Sequence, residues 1–162
     1  MTAAYDPNNT FAKILRGEAP CVRLFEDEVS LAFMDIMPRA DGHALIIPKA
    51  PARNIFDIAP ADLARFAPSV QRLAQAAMKG MAAEGISVMQ FNESAGGQVV
   101  FHLHFHILPR WTGVQLRPPG GPIASADQLE PAAAKIRAAL AARGPPAGLP
   151  SGEAGSCPDI LE

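Results

Sequence analysis

Cysteine is scarce in this sequence, and the two that are present exclude two kinds of small protein. Cys21 and Cys157 lie far apart and form no Cys-x-x-Cys pair. Disulfide frameworks use several pairs of cysteines, and cysteine zinc sites use closely spaced ones. We therefore expect a protein of a reducing compartment that folds around an apolar core.

An excess of positive charge and long apolar runs are also lacking. The chain has 14 Lys and Arg against 16 Asp and Glu, whereas binding to duplex nucleic acid needs clustered basic side chains. A run of 18 uncharged apolar residues is nowhere present, and residues 1–16 lack the basic and apolar regions of a secretion signal. We expect a soluble cytoplasmic protein with no nucleic-acid partner and no membrane partner. A small phosphorylated ligand is compatible with this composition.

The chain does have apolar sequence enough for one domain, since 49% of its 162 residues are apolar. Apolar spacing and capping signals predict three helices, over residues 10–16, 60–84 and 126–143. Apolar runs between turn residues predict five strands, over residues 22–26, 30–36, 44–47, 86–92 and 99–108. Short links between them favour an α+β domain over residues 1–143, with about five antiparallel strands, a main helix and shorter N- and C-terminal helices. The Pro- and Gly-rich residues 144–162 are predicted to be a disordered tail.

Three of the four histidines stand at every second position, in the run His102-Leu103-His104-Phe105-His106. Alternate side chains of a strand point to opposite faces, so the three imidazoles would share one face while Leu103 and Phe105 enter the core. Histidine changes charge near neutral pH and serves in proton transfer, nucleophilic attack and metal binding. The row therefore predicts a chemical site.

Three interpretations of the row are open from the residues alone. In the first interpretation the rings are hydrogen-bonded scaffolding, which is the commoner role of a single histidine on a strand. In the second they are ligands of zinc or iron, with His43 and Asp35 as further ligands. In the third one ring is a nucleophile, and its neighbours orient it and stabilise charge on the reacting group. Three histidines in register favour chemistry over scaffolding.

Residues 102–108 match the signature His-φ-His-φ-His-φ-φ, where φ is apolar, and the chain resembles the histidine triad superfamily of nucleotide hydrolases and transferases. Further similarity follows the family's order over residues 9–143. It includes residues 11–20 (FAKILRGEAP), 32–38 (AFMDIMP) and 42–49 (GHALIIPK), with Asn92, Gly97, Gln98, Pro109 and Arg110. The resemblance implies a HIT-like fold and points to the phosphoramidase-like, nucleotide-binding branch.

For the histidines, the resemblance implies unequal roles. His104 is expected to attack the α-phosphorus of a nucleotide and form a nucleotidyl-histidine that water resolves. Its other ring nitrogen is expected to donate to the backbone carbonyl of His102, whose ring is expected to contact His43. His106 is expected to bond phosphate oxygens or the leaving atom. Such a site implies no metal ion and no other cofactor, because a protonated imidazole itself stabilises the reacting phosphate.

For the purine nucleotide, the resemblance implies polar and apolar contacts. Asp35 is expected to accept hydrogen bonds from the ribose hydroxyls, since an ionised carboxylate only accepts. Asn92 is expected to contact phosphate or ribose, the Gly97 N–H to donate to phosphate, and Gln98 to be one of the nucleotide-binding residues. The expected apolar wall of the base is Phe11, Ile14, Phe33 and Ile36.

The implied activity is that of a nucleotide-binding hydrolase or nucleotidyl transferase acting on nucleoside phosphoramidates or related nucleotides. A dinucleoside polyphosphate hydrolase and a non-catalytic nucleotide-sensing module are the alternatives. Relatives are commonly homodimers joined through a strand and the main helix, and the same is expected here.

The chain departs from the family pattern at three places. Val99 stands where relatives often have a Ser or Thr hydroxyl, which leaves the leaving-group preference open. Asn9 and Ala12 stand at the positions of a Cys-x-x-Cys pair that holds structural zinc in many bacterial relatives, so that zinc site is expected to be absent. His106 stands where the galactose-1-phosphate uridylyltransferase branch has Gln, which argues against that branch.

Overall fold

Antiparallel strand pairs form the centre of the fold in the computed structural model, which describes residues 4–142. The strands are β1 (Arg23–Glu26), β2 (Ser30–Met34), β3 (Ala44–Pro48), β4 (Gly85–Met89) and β5 (Phe105–Arg110). Their order in the sheet is β1-β2-β3-β5-β4, with every pair antiparallel. The predicted α+β class and five-stranded antiparallel sheet are therefore confirmed. The tail predicted for residues 144–162 lies outside the described residues.

Three α-helices accompany the sheet: α1 (Thr10–Leu15), α2 (Pro60–Gly80) and α3 (Ala126–Ala141). The Asn9 side chain caps α1 by accepting from the Ala12 N–H, and Ser125 caps α3 in a reciprocal pair with Gln128. The helices α1 and α3 agree closely with their predicted bounds. None of the helices within residues 4–142 has the length and apolar character to cross a membrane.

The main helix α2 ends at Gly80, four residues earlier than predicted. Ala82 has a left-handed φ of 48°, which breaks the helical conformation before Glu84 is reached. Gly85 then begins β4.

The two faces of the sheet have different coverings because successive side chains of each strand alternate. Ala44 and Ile46 of β3 pack beneath α2 and α3 in the larger core cluster. Leu45 and Ile47 point the other way, into a smaller cluster with Phe11 of α1. Leu45 also stands opposite His106 in the ladder between β3 and β5. The histidines therefore lie on the face that α1 covers.

The strand predicted over residues 99–108 begins only at Phe105, so His102 and His104 precede it and His106 alone of the three lies in β5. Pairing with β3 stops at Ile46 and Phe105. β3 ends at Pro48, which has no N–H to donate to a neighbouring strand. The carbonyl of Pro48 accepts a hydrogen bond from the ring of His102. The chain leaves the ladder there, and Leu103 N–H bonds the carbonyl of Ala52 instead.

Candidate active site

His102 is a fully buried ring held at both nitrogens. Its Nε2 lies 2.9 Å from the carbonyl oxygen of Pro48, and its Nδ1 lies 2.7 Å from the hydroxyl oxygen of Tyr5. A carbonyl oxygen only accepts, so Nε2 carries the proton and Nδ1 accepts from the hydroxyl. Burial lowers the pKa of His102, so the ring is neutral at neutral pH.

His104 is fixed as the opposite tautomer. Its Nδ1 lies 2.6 Å from the backbone carbonyl oxygen of His102, so Nδ1 carries the proton and Nε2 keeps a lone pair. Burial lowers the pKa of His104 as well. Within residues 4–142, Nε2 has no hydrogen-bond partner, and the ring of Phe11 packs edge-on at 5.0 Å. A buried imidazole with a free lone pair has the electronic form of a nucleophile.

His106 and His43 form a hydrogen-bonded pair in which His43 Nε2 lies 2.9 Å from His106 Nδ1. The backbone N–H of Arg39 points at His43 Nδ1 at 3.1 Å, so that nitrogen accepts and His43 carries its proton on Nε2. His43 therefore donates to His106 Nδ1, which leaves the His106 proton on its own Nε2. That N–H has no partner in the described chain, and the His106 ring centre lies 5.1 Å from that of His104.

The loop before β3 sets the position of His43. Gly42 has a φ of 77°, and a Cβ there would lie 2.6 Å from the Met81 side chain. The turn thus requires glycine, and it brings the Arg39 N–H back onto the His43 ring. The predicted contact of His43 with the ring of His102 is replaced by the bond to His106, because each nitrogen of His102 already has another partner.

Both rings of this pair are strongly biased toward the neutral form. Burial, with the charges of Arg39 and Arg117, lowers the pKa of His43 to about 4. Burial, with repulsion from His104 and His43, lowers the pKa of His106 to about 3. The four rings thus present one lone pair, on His104, beside one N–H donor, on His106.

Asp35 lies next to the His43–His106 pair. One carboxylate oxygen accepts from the Met37 N–H at 2.8 Å, and the other lies 3.4 Å from His43 Nε2 and 3.8 Å from His106 Nδ1. Both rings are neutral at neutral pH, so these contacts are polar rather than ionic. The carboxylate keeps unused lone pairs for a ligand.

The predicted base-wall residues fall into two groups. Phe11, Ile14 and Phe33 are buried in one cluster, with the Phe11 and Phe33 ring centres 5.5 Å apart. Ile36 lies after β2 and is 47% exposed. The structure therefore brings three of the four residues together beside His104, and leaves Ile36 at the surface.

The loop with Asn92, Gly97 and Gln98 is bonded mainly to itself and to residues 53–55. Asn92 accepts from the Ile55 N–H at 3.0 Å, and the Gly97 N–H bonds the Ser94 carbonyl. Gln98 is 3% exposed, accepts from the Glu93 N–H, and donates to the carbonyls of Arg53 and Val100. In this structure Gln98 shapes the loop, since its amide is engaged within the protein.

Comparison with known proteins identifies the family. Residues 16–113 match the model of the HIT domain. The chain belongs to the HIT domain family. Among solved structures, a HIT-like protein involved in cell-cycle regulation from Bartonella henselae, crystallised with an unknown ligand, is 51% identical with a TM-score of 0.81. That match covers 85% of this chain and 99% of the other, so the expected family and HIT-like fold are confirmed.

Two curated relatives of this HIT protein have enzyme names. Adenosine 5'-monophosphoramidase hnt1 of Schizosaccharomyces pombe is 40% identical over 100 residues, which are 62% of this chain and 72% of the relative. Adenylylsulfatase HINT3 of Arabidopsis thaliana is 36% identical over 113 residues, which are 66% of this chain. The match spans only 57% of that second relative.

Within residues 4–142, one group of side chains has the ligand types for a metal ion: Asp35, His43 and His106. One ligand atom of each lies within 4.8 Å of the others. Their hydrogen bonds oppose that use. A metal on His43 Nε2 would require the proton to move to Nδ1, where the Arg39 N–H already points. Two donors would then face each other, so the residues do not fit a metal site in this arrangement.

Sequence reasoning missed two groups that control the tautomers of the HIT histidines. The Arg39 N–H sets the proton on His43, and the Tyr5 hydroxyl occupies Nδ1 of His102. A backbone N–H has no sequence signal of its own. Tyr5 is the single tyrosine of the chain, but it lies 97 positions from its partner and belongs to no periodic pattern.

Proposed function

We propose that this HIT protein is a nucleotidyl hydrolase or transferase that attacks the α-phosphate of a nucleoside phosphoramidate or a related adenylyl compound. The observation that carries the proposal is the free lone pair of His104 Nε2 beside the free N–H of His106. The names of the two relatives support it, because a phosphoramidate and an adenylyl sulfate both join the nucleotide's α-phosphorus to a leaving group.

In the proposed reaction, His104 Nε2 forms a bond to phosphorus as the bond from phosphorus to the leaving atom breaks. The His106 N–H donates to a phosphate oxygen or to the leaving atom, where negative charge develops. Water then attacks the nucleotidyl-histidine and restores the free ring. Because the pKa of His106 is about 3, the proton that the leaving group needs comes with the substrate or from water.

The nucleoside is proposed to bind on the α1 side of the histidines. Asp35 has lone pairs for the ribose hydroxyls, and Phe11, with Ile14 and Phe33 beside it, is proposed to meet the base on one side and the exposed Ile36 to meet it on another. Asn92 and Gly97 are proposed to meet phosphate or ribose once their present bonds within the loop are exchanged. Gln98 is proposed to act indirectly, by holding that loop.

The experiment is a rapid-quench incubation with adenosine 5'-monophosphoramidate, followed by intact-mass detection of an AMP adduct and mapping of the modified residue. We expect the adduct on His104, and none in His104→Ala. In His106→Ala we expect adduct formation to slow by about 10² to 10³, the usual effect of losing one transition-state donor. Adduct on another residue, or full turnover in His104→Ala, would overturn the mechanism.

The same proteins separate the alternatives. AMP binding that persists in wild type and His104→Ala, without turnover of any substrate, would favour the non-catalytic nucleotide-sensing module. Faster turnover of dinucleoside polyphosphates than of phosphoramidates or adenylyl sulfate would favour the polyphosphate hydrolase.

We also infer that the protein forms a homodimer through β4 and α2. β4 is an edge strand of the described sheet, and Val88 on it is 50% exposed. An apolar groove of about 350 Å³ runs beside it, lined by Val70, Ala74 and Phe105 among others. A second copy related by a twofold axis would add its own β4 antiparallel to this edge and place its α2 against the groove.

A further inference from the structure

The Tyr5 hydroxyl is the only donor to Nδ1 of His102 within residues 4–142. Its oxygen lies 2.7 Å from that nitrogen, and the two rings meet edge to face with their centres 5.6 Å apart. His102 is 0% exposed, so in the folded protein Tyr5 and its neighbours shield this nitrogen from water. A buried acceptor without its donor is costly.

Tyr5 is held in place by bonds from its own segment to α1. The guanidinium of Arg16 donates to the carbonyl of Pro7 at 2.7 Å, and the Asn9 amide donates to the carbonyl of Asp6 at 2.7 Å. These bonds fasten residues 6 and 7 to both ends of the helix. The ring just before them is thereby fixed against His102.

His102 in turn fixes His104 through one peptide unit. The carbonyl between His102 and Leu103 accepts from His104 Nδ1 at 2.6 Å, and the N–H of the same unit bonds the Ala52 carbonyl at 2.8 Å. The His102 ring and this carbonyl belong to the same residue, so a backbone shift of His102 that brings an unpaired Nδ1 to another donor also moves the carbonyl away from His104 Nδ1. The His104 tautomer then loses the acceptor that keeps its proton on Nδ1.

We propose that Tyr5 is a positioning residue that acts through His102 to keep the lone pair of His104 on Nε2. The inference rests on the proposed function only for its kinetic consequence, since the tautomer itself is a property of the free protein. Tyr5 touches neither of the two nitrogens that face the reacting phosphate. Its loss should therefore reduce the rate of the chemical step and leave nucleotide affinity unchanged.

The test compares Tyr5→Phe, which removes only the hydroxyl, with Tyr5→Leu, which also removes the ring. Ser69→Ala is the matched control, because Ser69 is 4% exposed and its hydroxyl donates to Asp27 at 2.7 Å on the far side of the sheet. In Tyr5→Phe we expect His104 adduct formation to slow about fivefold to tenfold, the loss that one hydrogen bond implies. The Kd for AMP should stay within about twofold, and Ser69→Ala should match wild type in both.

Imidazole ¹⁵N NMR of the free variants gives the readout that a merely structural role would not move. We expect His104 to be protonated at Nδ1 in wild type and Ser69→Ala, and to become a mixture of tautomers in Tyr5→Phe. An unchanged tautomer and rate in Tyr5→Phe, with defects only in Tyr5→Leu, would reduce Tyr5 to packing and overturn the inference. If wild type forms no adduct on His104, the proposed function fails while the tautomer comparison still decides the role of Tyr5.

Discussion

The Nδ1 atom of His104 lies 2.6 Å from the backbone carbonyl oxygen of His102, whereas the other three imidazoles carry their proton on Nε2. A single ring of the four is thus set apart by its tautomer. No difference in ring exposure or charge would distinguish it as sharply, since all four rings have lowered pKa values.

The first prediction follows from that difference. Long-range ¹H–¹⁵N spectra of the free protein at pH 7 should show three rings protonated at Nε2 and His104 alone protonated at Nδ1. The signals of His43 and His106 are identified by their disappearance from the spectra of His43→Gln and His106→Gln. A spectrum in which His104 carries its proton on Nε2 would contradict the arrangement of the site.

The second prediction concerns stability against pH. Well above pH 6.5 the rings of His43 and His106 are neutral in both the folded and the unfolded chain, so their titration does not lower the free energy of unfolding. As the pH falls from 6.5, the unfolded rings bind protons and the folded rings, with pKa values of about 4 and about 3, do not. The free energy of unfolding should therefore fall with a slope that approaches about 1.4 kcal/mol per pH unit for each ring about one unit below pH 6.5.

Urea unfolding between pH 7 and pH 4.5 measures this slope. His106→Gln removes one titrating ring and should make the slope shallower, whatever it does to stability at pH 7. Ser125→Ala, which removes the cap of α3 and contacts neither ring, should lower stability and leave the slope as in wild type. An equal slope in His106→Gln would show that this ring is not buried in its neutral form.

The third prediction compares two helix caps. Asn9→Ala and Ser125→Ala each remove a side-chain acceptor from the first turn of a helix, and each should cost about 1 kcal/mol of stability. Only α1 carries Phe11 and Ile14 into the site. Asn9→Ala should therefore also weaken AMP binding by about threefold, which calorimetry measures, whereas Ser125→Ala should not. An AMP affinity of Asn9→Ala equal to that of Ser125→Ala would show that α1 does not contribute to AMP binding.

The fourth prediction concerns the loop at Glu93, which has a left-handed φ of 61° without being glycine. Arg53 holds its carboxylate by two parallel bonds of 2.8 Å and lies 3.9 Å from the centre of the Phe101 ring. Lysine cannot make both bonds, so Arg53→Lys should lower the free energy of unfolding and reduce turnover. Arg65→Lys, in an exposed single-bonded pair with Glu28, should stay within about 0.5 kcal/mol of wild type.

The fifth prediction tests the dimer. A charge on the exposed edge strand opposes pairing with a second copy, so Val88→Glu should be monomeric in sedimentation experiments. Val114 is comparably exposed, at 55% against 50% for Val88, but it lies in the loop after β5 and not on the edge strand, so Val114→Glu should sediment like wild type. A wild-type protein that is monomeric at micromolar concentration would refute the dimer itself.

The sequence predicted elements whose signals are local. Asn9 and Ser125 are caps because a short side chain precedes an apolar helical pattern, and Gly17 follows α1 with a φ of 74° as a helix stop should. The start of β5 was predicted wrongly because it depends on a distant residue: Pro48 ends the partner strand. The partners of His102, which are Tyr5 and Pro48, likewise lie far from it in the sequence, and so does His106 from His43.

The close contact of Phe11 and Tyr5 with the histidines bears on where this domain begins. The match to the HIT domain model starts at residue 16, yet both aromatic rings lie before it and contact His102 and His104. A protein shortened to residues 16–113 would keep all four histidines and lose the two aromatic rings that cover His102 and His104. For this chain, the structural unit that covers the histidines extends further toward the N-terminus than the match to the family model.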